Sequence, residues 1–222
     1  MNSSKRLFNC IVGYNDIKQL IRQAVYSDAN VHWLFYGPPA SAKSLFLLEM
    51  EKEIPKTIFV TGSRISKKGL HSVLLEHKPH FLLFDEIDKA PRTASSALLS
   101  LMEMGRIIIT LGEKSINTEL HTKVFASCNN IHRLPPELLS RFQKLYFPPY
   151  TKDEFLEICS GYIVHYEKVR EEVALRAGEL VWESLNRDIR QVIRIVRLSK
   201  TVEQVEQTVE VFKKYAGGAT QE

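Results

Sequence analysis

The chain has 222 residues, of which 44% are hydrophobic and 25% charged, and a formal net charge of +4. That is enough apolar material for one large domain, or a domain with a small appendage, of ordinary soluble composition. No apolar run reaches the length of a membrane span, and Met1-Asn2-Ser3-Ser4-Lys5-Arg6 is not followed by the apolar core of a secretory signal. Cys10, Cys128 and Cys159 lie far apart without metal-ligand spacing, so they read as buried thiols of a reducing cytoplasm.

In chain order, Asp16 to Tyr26 reads as a helix with Ile17, Leu20, Ile21 and Ala24 on one face. Val31–Tyr36 reads as a strand, followed by a helix over Ser44–Lys52 with Leu45, Leu47 and Leu48 as its apolar positions. Thr57–Val60 is a second strand closed by Thr61-Gly62-Ser63, and Leu70 to Glu76 a helix. Phe81–Phe84 is a third strand, and Ala94–Met104 a helix with Ala97, Leu98, Leu101 and Met102 inward. Residues 105–120 read as a β-hairpin turning at Gly112-Glu113-Lys114. Val124–Ser127 and Lys144–Phe147 complete five strands. Strands alternating with helices predict an α/β fold, a mostly parallel five-stranded sheet between helices.

Pro148-Pro149-Tyr150 breaks this pattern, and Thr151 to Glu154 has the form of a capping box. From there to Tyr215 the sequence contains no proline and reads as almost all helical. The expected division is an α/β domain over 1–150, a small helical lid over 151–216 and a disordered tail over 217–222. Charge divides at the same place. Residues 1–150 carry 19 Lys/Arg and 13 Asp/Glu (19 − 13 = +6), and residues 151–222 carry 11 and 13 (11 − 13 = −2). The basic first part tolerates an anionic partner such as nucleic acid but does not demand one.

The chemistry concentrates after the first strand. Gly37-Pro38-Pro39-Ala40-Ser41-Ala42-Lys43-Ser44 joins a strand to a helix, the layout of a phosphate-binding loop. Backbone N–H groups at such a helix start cradle phosphate oxygens. Lys43 would neutralise β/γ-phosphates and Ser44 would ligate Mg²⁺. The usual glycine before the lysine is here Ala42. Asp85 and Glu86 end a strand apolar enough to be buried on both faces. Asp85 would set the metal and Glu86 polarise the attacking water.

Further along, Asn129 follows the fourth core strand and could contact a γ-phosphate or orient water; the adjacent Asn130 stays open, and a turn residue is the plainer reading of either alone. Arg141 lies at a helix end, where it could reach a neighbour's nucleotide as an arginine finger. Arg190, with Arg194 and Arg197 along one helix face, is a candidate for closing over nucleotide. Lys114 sits near the hairpin tip, and a solvated surface lysine is the plainer reading there.

This ordered set resembles the AAA+ ATPases over nearly the whole chain. The hairpin before the first sensor is similar to the branch containing the minichromosome maintenance (MCM) helicases, RuvB and the MoxR-type ATPases. The MCM likeness rests on Ala42-Lys43-Ser44, Asp85-Glu86-Ile87-Asp88-Lys89, Arg92-Thr93-Ala94, Ile189-Arg190-Gln191 and the segment Ile11 to Lys18. The resemblance implies a P-loop AAA+ core with a helical lid and ATP and Mg²⁺ as cofactors. It places Ile11 and Val12 beside the adenine, Leu45 and residues 37–44 around the phosphates, and Lys114 on DNA. It implies a homo-oligomer, a hexameric ring or a nucleotide-dependent assembly, with DNA or partner proteins as substrate and no membrane.

Only ten residues separate Leu70 from Phe81, so the extra hairpin of MCM motors is missing there and the layout is more like RuvB. The expected chain is a bare motor module without the appended DNA-binding domains of either relative, or one whose other parts a partner supplies. Two activities stay open: a DNA-remodelling motor, or a MoxR-like chaperone ATPase acting on protein.

Overall fold

The structure, a computed structural model, describes residues 7–111 and 114–216, with the backbone alone given for residues 108–111, 114–116 and 216. It divides into two compact units, Met1–Pro148 and Pro149–Glu222.

In the first unit, α1 (Asn15–Tyr26) leads into β1 (His32–Tyr36), α2 (Lys43–Glu53) and β2 (Thr57–Thr61). Then come α3 (Lys67–His77), β3 (Phe81–Asp85) and α4 (Arg92–Met104). A hairpin of β4 (Arg106–Leu111) and β5 (Lys114–Glu119) precedes β6 (Lys123–Cys128), α5 (Pro136–Leu139) and β7 (Phe142–Tyr146). The five core strands form one parallel sheet in the order β2-β3-β6-β1-β7. Every C-terminal strand end therefore lies along one edge, where open α/β sheets bind ligands.

Alternation along β1 explains the two cores, since successive side chains point to opposite faces. Leu34 joins Leu82, Phe84, Val124 and Ala126 in a cluster with α3 and α4 residues. Phe35 points the other way, 5.0 Å from the Phe147 ring and 6.4 Å from Phe46.

One boundary and two burial assignments differ from the sequence expectation for local reasons. Helix α3 begins at Lys67, three residues early, because Ser66 accepts the Gly69 N–H at 3.1 Å and caps it. In α2 the buried positions are Lys43, Phe46, Leu47 and Met50, while Leu48 is exposed. Cys10 is exposed rather than buried, whereas Cys128 and Cys159 are buried as expected. Partial shelter and the nearby Glu49 carboxylate still push the Cys10 thiol up to about 11.

The hairpin pairs Arg106 with Glu119 through Leu111 with Lys114. Gly105 stands at its base in the left-handed region (φ 59°), capping α4 by donating to Leu101 O at 3.0 Å. Its carbonyl accepts the Leu120 N–H at 2.7 Å, so this glycine clamps the hairpin rather than loosening it. Gly112, in the expected turn, lies outside the described residues.

The second unit is helical: α6 (Lys152–Ile158), a π-turn at Cys159–Ile163, α7 (Val164–Glu167), α8 (Glu171–Ser184), α9 (Ile189–Leu198) and α10 (Val202–Ala216). The capping box forms, with Thr151 Oγ1 accepting the Glu154 N–H at 3.3 Å and Glu154 Oε2 accepting the Thr151 N–H at 2.9 Å. Phe155, Ala177, Val181, Val192, Ile195 and Val205 are among its core residues.

Candidate nucleotide site

The loop Gly37–Ala42 runs from the end of β1 to the start of α2. Gly37 needs to be glycine: its φ is 152°, and a Cβ there would lie 2.2 Å from the Phe147 carbonyl oxygen. Ala40 (φ 61°) and Ala42 (φ 57°, ψ 0°) both adopt left-handed backbone, and Ala42 is the N-cap of α2. An L-residue in this region carries a cost of about 1–2 kcal/mol. The loop thus keeps the glycine conformation although its last position carries a methyl group.

Lys43 opens α2 and is buried, with 5% of its surface accessible. Its ammonium donates to Gly37 O (3.0 Å), Pro38 O (2.6 Å) and Ser41 Oγ (3.1 Å). These oxygens hold the charge at the centre of the loop, where it would meet phosphate. Ser44 Oγ donates to Asp85 Oδ1 at 2.9 Å across 41 residues of sequence. The loop hydroxyl and the strand-end carboxylate are therefore side by side. Both are hard oxygen ligands of the kind Mg²⁺ takes, so the pair fits such an ion.

Ser127, at the end of β6, is a site residue that the sequence reading missed. Its hydroxyl donates to Asp85 Oδ1, and its oxygen accepts the Glu86 N–H at 3.2 Å. One side chain thus braces both acids. The available signal was a polar residue among the buried positions of a strand. Glu86 itself adopts left-handed backbone (φ 53°, ψ 44°), a local strain of the kind found at functional sites. Its Oε1 is ion-paired with Lys89 Nζ at 2.5 Å.

The two asparagines separate clearly. Asn130 Oδ1 accepts the His132 N–H at 3.0 Å and caps the 3-10 turn Ile131–Arg133, and its own N–H donates to Asp88 Oδ2 at 3.1 Å. Asn129 is exposed at the end of β6. Ile11 is buried and Val12 half-buried, with Lys18 Nζ donating to Ile11 O. Leu45 is half-buried in the first turn of α2.

The remaining candidates have other partners. Arg141 lies two residues beyond α5 and pairs with Glu103 of α4 at 2.5 Å. Arg190 belongs to the second unit, where Asp188, the N-cap of α9, grips its guanidinium at 2.8–3.0 Å. Lys114 pairs with Leu111 in the hairpin ladder, and its side chain lies outside the described residues. No helix among the described residues is long and apolar enough to cross a membrane.

Comparison with known proteins places this geometry in context. The sequence model described as "ATPase family associated with various cellular activities (AAA)" matches residues 33–150. Replication factor C subunit 3 of Saccharomyces cerevisiae is 22% identical over 206 residues, 86% of this chain and 56% of that protein. The Holliday junction branch migration complex subunit RuvB of Parasynechococcus marenigrum is 30% identical over 112 residues, 47% of this chain and 32% of that protein. In fold, the chain is similar to the Thermotoga maritima RuvB Holliday junction branch migration motor. The TM-score is 0.66 at 19% identity, covering 90% of this chain and 70% of that one. The chain thus spans 56% and 32% of the length of these two sequence relatives.

Proposed function

We propose that this chain, which belongs to the AAA family of ATPases, couples its ATP hydrolysis to remodelling or translocation of DNA as part of an oligomer. The observation that carries the reading is the Ser44–Asp85 contact at 2.9 Å, which joins the phosphate loop to the acidic strand end. The DNA assignment draws on relatives named for replication and for Holliday junction branch migration.

In this reading the N–H groups of residues 37–44 bind the phosphates, with Ile11, Val12 and Leu45 flanking the nucleotide. Lys43 exchanges its loop carbonyls for phosphate oxygens. Ser44 and Asp85 would hold Mg²⁺, which supplies charge neutralisation at the β- and γ-phosphates. Glu86 polarises the attacking water, and Asn129 senses the γ-phosphate, since Asn130 is occupied as a cap. Arg141 leaves Glu103 to act in trans on a neighbour's transition-state charge, an effect of about 10³–10⁵ in rate. Arg190 reports nucleotide state to the helical lid, and the hairpin carrying Lys114 touches DNA. The finer likeness to MCM motors rests on Ala42 and on Asp85 to Lys89.

Glu86→Gln tests the mechanism: ATP binding is retained and turnover lost, and unchanged turnover would sink the assignment. Hydrolysis assayed with single-stranded, duplex and four-way-junction DNA tests the coupling. Stimulation by none of them would favour a protein substrate, as in the MoxR-like alternative.

A further inference from the structure

Building on the reading of Asn129 as the γ-phosphate contact, we infer that Asp88 is the positioning residue behind it. The Asp88 carboxylate holds the Asn130 N–H and so sets where the neighbouring Asn129 amide meets the nucleotide.

Asn129 stands between two ties. Strands β3 and β6 are neighbours, in register from Phe81 with Lys123 to Phe84 with Ala126. Beyond that register they are joined through side chains. Before Asn129, Ser127 donates to Asp85 Oδ1 and accepts the Glu86 N–H at 3.2 Å. After it, Asp88 Oδ2 accepts the Asn130 N–H at 3.1 Å, across 42 residues of sequence. Asn130 is fixed in turn, its Oδ1 accepting the His132 N–H at 3.0 Å as the cap of Ile131–Arg133. Asn129 itself is exposed, and its amide makes no hydrogen bond to another described residue. The backbone is therefore tethered on both sides while the side chain stays available to a ligand.

The carboxylate is held there at a cost. Its Oδ1 is buried and has no hydrogen-bond partner among the described residues. A buried acceptor left unpaired destabilises a fold, the more so when it carries charge. Cys128 beside it is buried too, and its thiol is pushed up to about 12, by burial first and then by the Asp88 charge. In return the carboxylate gives Asn130 a charge-assisted hydrogen bond, stronger than a neutral side chain would make. Local conflicts of this kind persist where the geometry they fix is used.

Asp88 also acts from a rigid base. It lies in the 3-10 turn Ile87–Lys89, where Glu86 O accepts the Lys89 N–H at 2.9 Å and Ile87 O accepts the Ala90 N–H at 3.1 Å. Gly62, at the end of β2, packs against that turn: a Cβ on it would lie 2.1 Å from Glu86 O and 3.1 Å from Ala90 N. A side chain leaving such a turn has little room to drift. Removing its grip frees the Asn130 N–H and the backbone next to Asn129, and a misplacement of about 1 Å at a reacting centre costs up to about 10²-fold in rate.

The test measures ATP turnover and ADP affinity of the full chain. Asp88→Leu replaces the carboxylate by an apolar group of similar shape, and Asp88→Ala takes its place if thermal melting shows that variant unfolded. Asp88→Leu and Asn129→Ala should each lower kcat about ten-fold or more, within the range that misplacement allows. Both should leave ADP affinity unchanged, since ADP has no γ-phosphate. The double variant should be no slower than Asn129→Ala alone, because the two act through one contact. Asp88→Asn keeps an acceptor for the Asn130 N–H and should recover most of the turnover. An Asp88→Leu chain with native turnover overturns the inference. So do losses that add in the double variant, weakened ADP binding in Asp88→Leu, or an Asp88→Asn chain as slow as Asp88→Leu. Asn129→Ala separates the two levels. If it turns over normally, the parent reading of Asn129 fails; if it is slow while Asp88→Leu looks native, the positioning role alone fails.

Discussion

Ser127 and Asp85, 42 residues apart in sequence, share a hydrogen bond at the edge of the sheet, the serine donating to Oδ1. The same serine oxygen takes the Glu86 N–H at 3.2 Å, so a buried hydroxyl with 2% accessible surface fixes both acids of the site. Ser127→Ala leaves two polar groups short of a partner, which costs about 1–3 kcal/mol. The expected result is a lower melting temperature together with a fall in kcat, and Ser127→Thr should recover part of both. A Ser127→Ala chain with native melting and turnover would remove Ser127 from the site.

Ala42 predicts a gain rather than a loss. Its backbone sits at φ 57° and ψ 0°, where glycine carries no steric penalty. Ala42→Gly should raise stability by up to about 1 kcal/mol, partly offset by the greater freedom of glycine in the unfolded chain. For a chain of this size that is an increase of roughly 2–4 °C, read by thermal denaturation without nucleotide. A decrease would mean that the methyl group makes a contact outweighing the strain.

Stability should fall in mild acid. His32 is buried in β1, its Nδ1 accepts the Val124 N–H at 3.1 Å, and burial pulls its pKa below the usual 6.5. His71 is shifted the same way by burial and then by Lys67. The unfolded chain therefore takes up protons near pH 6.5 that the folded chain refuses until lower pH. The contribution is fully present above that pH and is lost as pH drops below it. Urea midpoints should be level between about pH 7 and 8 and decline toward pH 5.5, less steeply in His32→Gln. An equal slope in that variant would assign the acid sensitivity elsewhere.

Gly178 makes the helical unit sensitive to one methyl group. A Cβ at this position in α8 would lie 2.6 Å from Cys159 Sγ and 3.3 Å from Leu156 Cδ2. Alanine gains about 1 kcal/mol in helix propensity over glycine, but overpacking costs about 1–3 kcal/mol. Gly178→Ala is expected to destabilise the chain in chemical denaturation. In a Cys159→Ala background the same substitution should be neutral or stabilising. Destabilisation of equal size in both backgrounds would show that the sulfur is not the obstacle.

Much of this was legible in the chain because the signals are local. The strand and helix order followed from periodicity, and the capping box at Thr151 and Glu154 from residues three apart. The phosphate loop and the strand-end acids announced themselves by type and spacing, and the structure places Ser44 and Asp85 together. Helix α3, expected from Leu70, begins at Lys67, because Ser66 caps the turn that contains Gly69.

The alternation of elements, the strand-to-helix loop at Gly37 to Ser44, the two acids closing an apolar strand and the change to an all-helical second part can all be read along the chain. Hydrophobic period, caps and backbone preferences act over a few residues and can be read there. Tertiary structure alone decided which distant polar groups meet. The sheet order β2-β3-β6-β1-β7 sets Ser127 against Asp85 and gives Asn130 to Asp88, leaving Asn129 exposed. The left-handed turn at Glu86 brings Lys89 onto its carboxylate. Those contacts depend on which strands lie side by side and on how one backbone torsion turns, and neither is encoded by residue type at a fixed spacing.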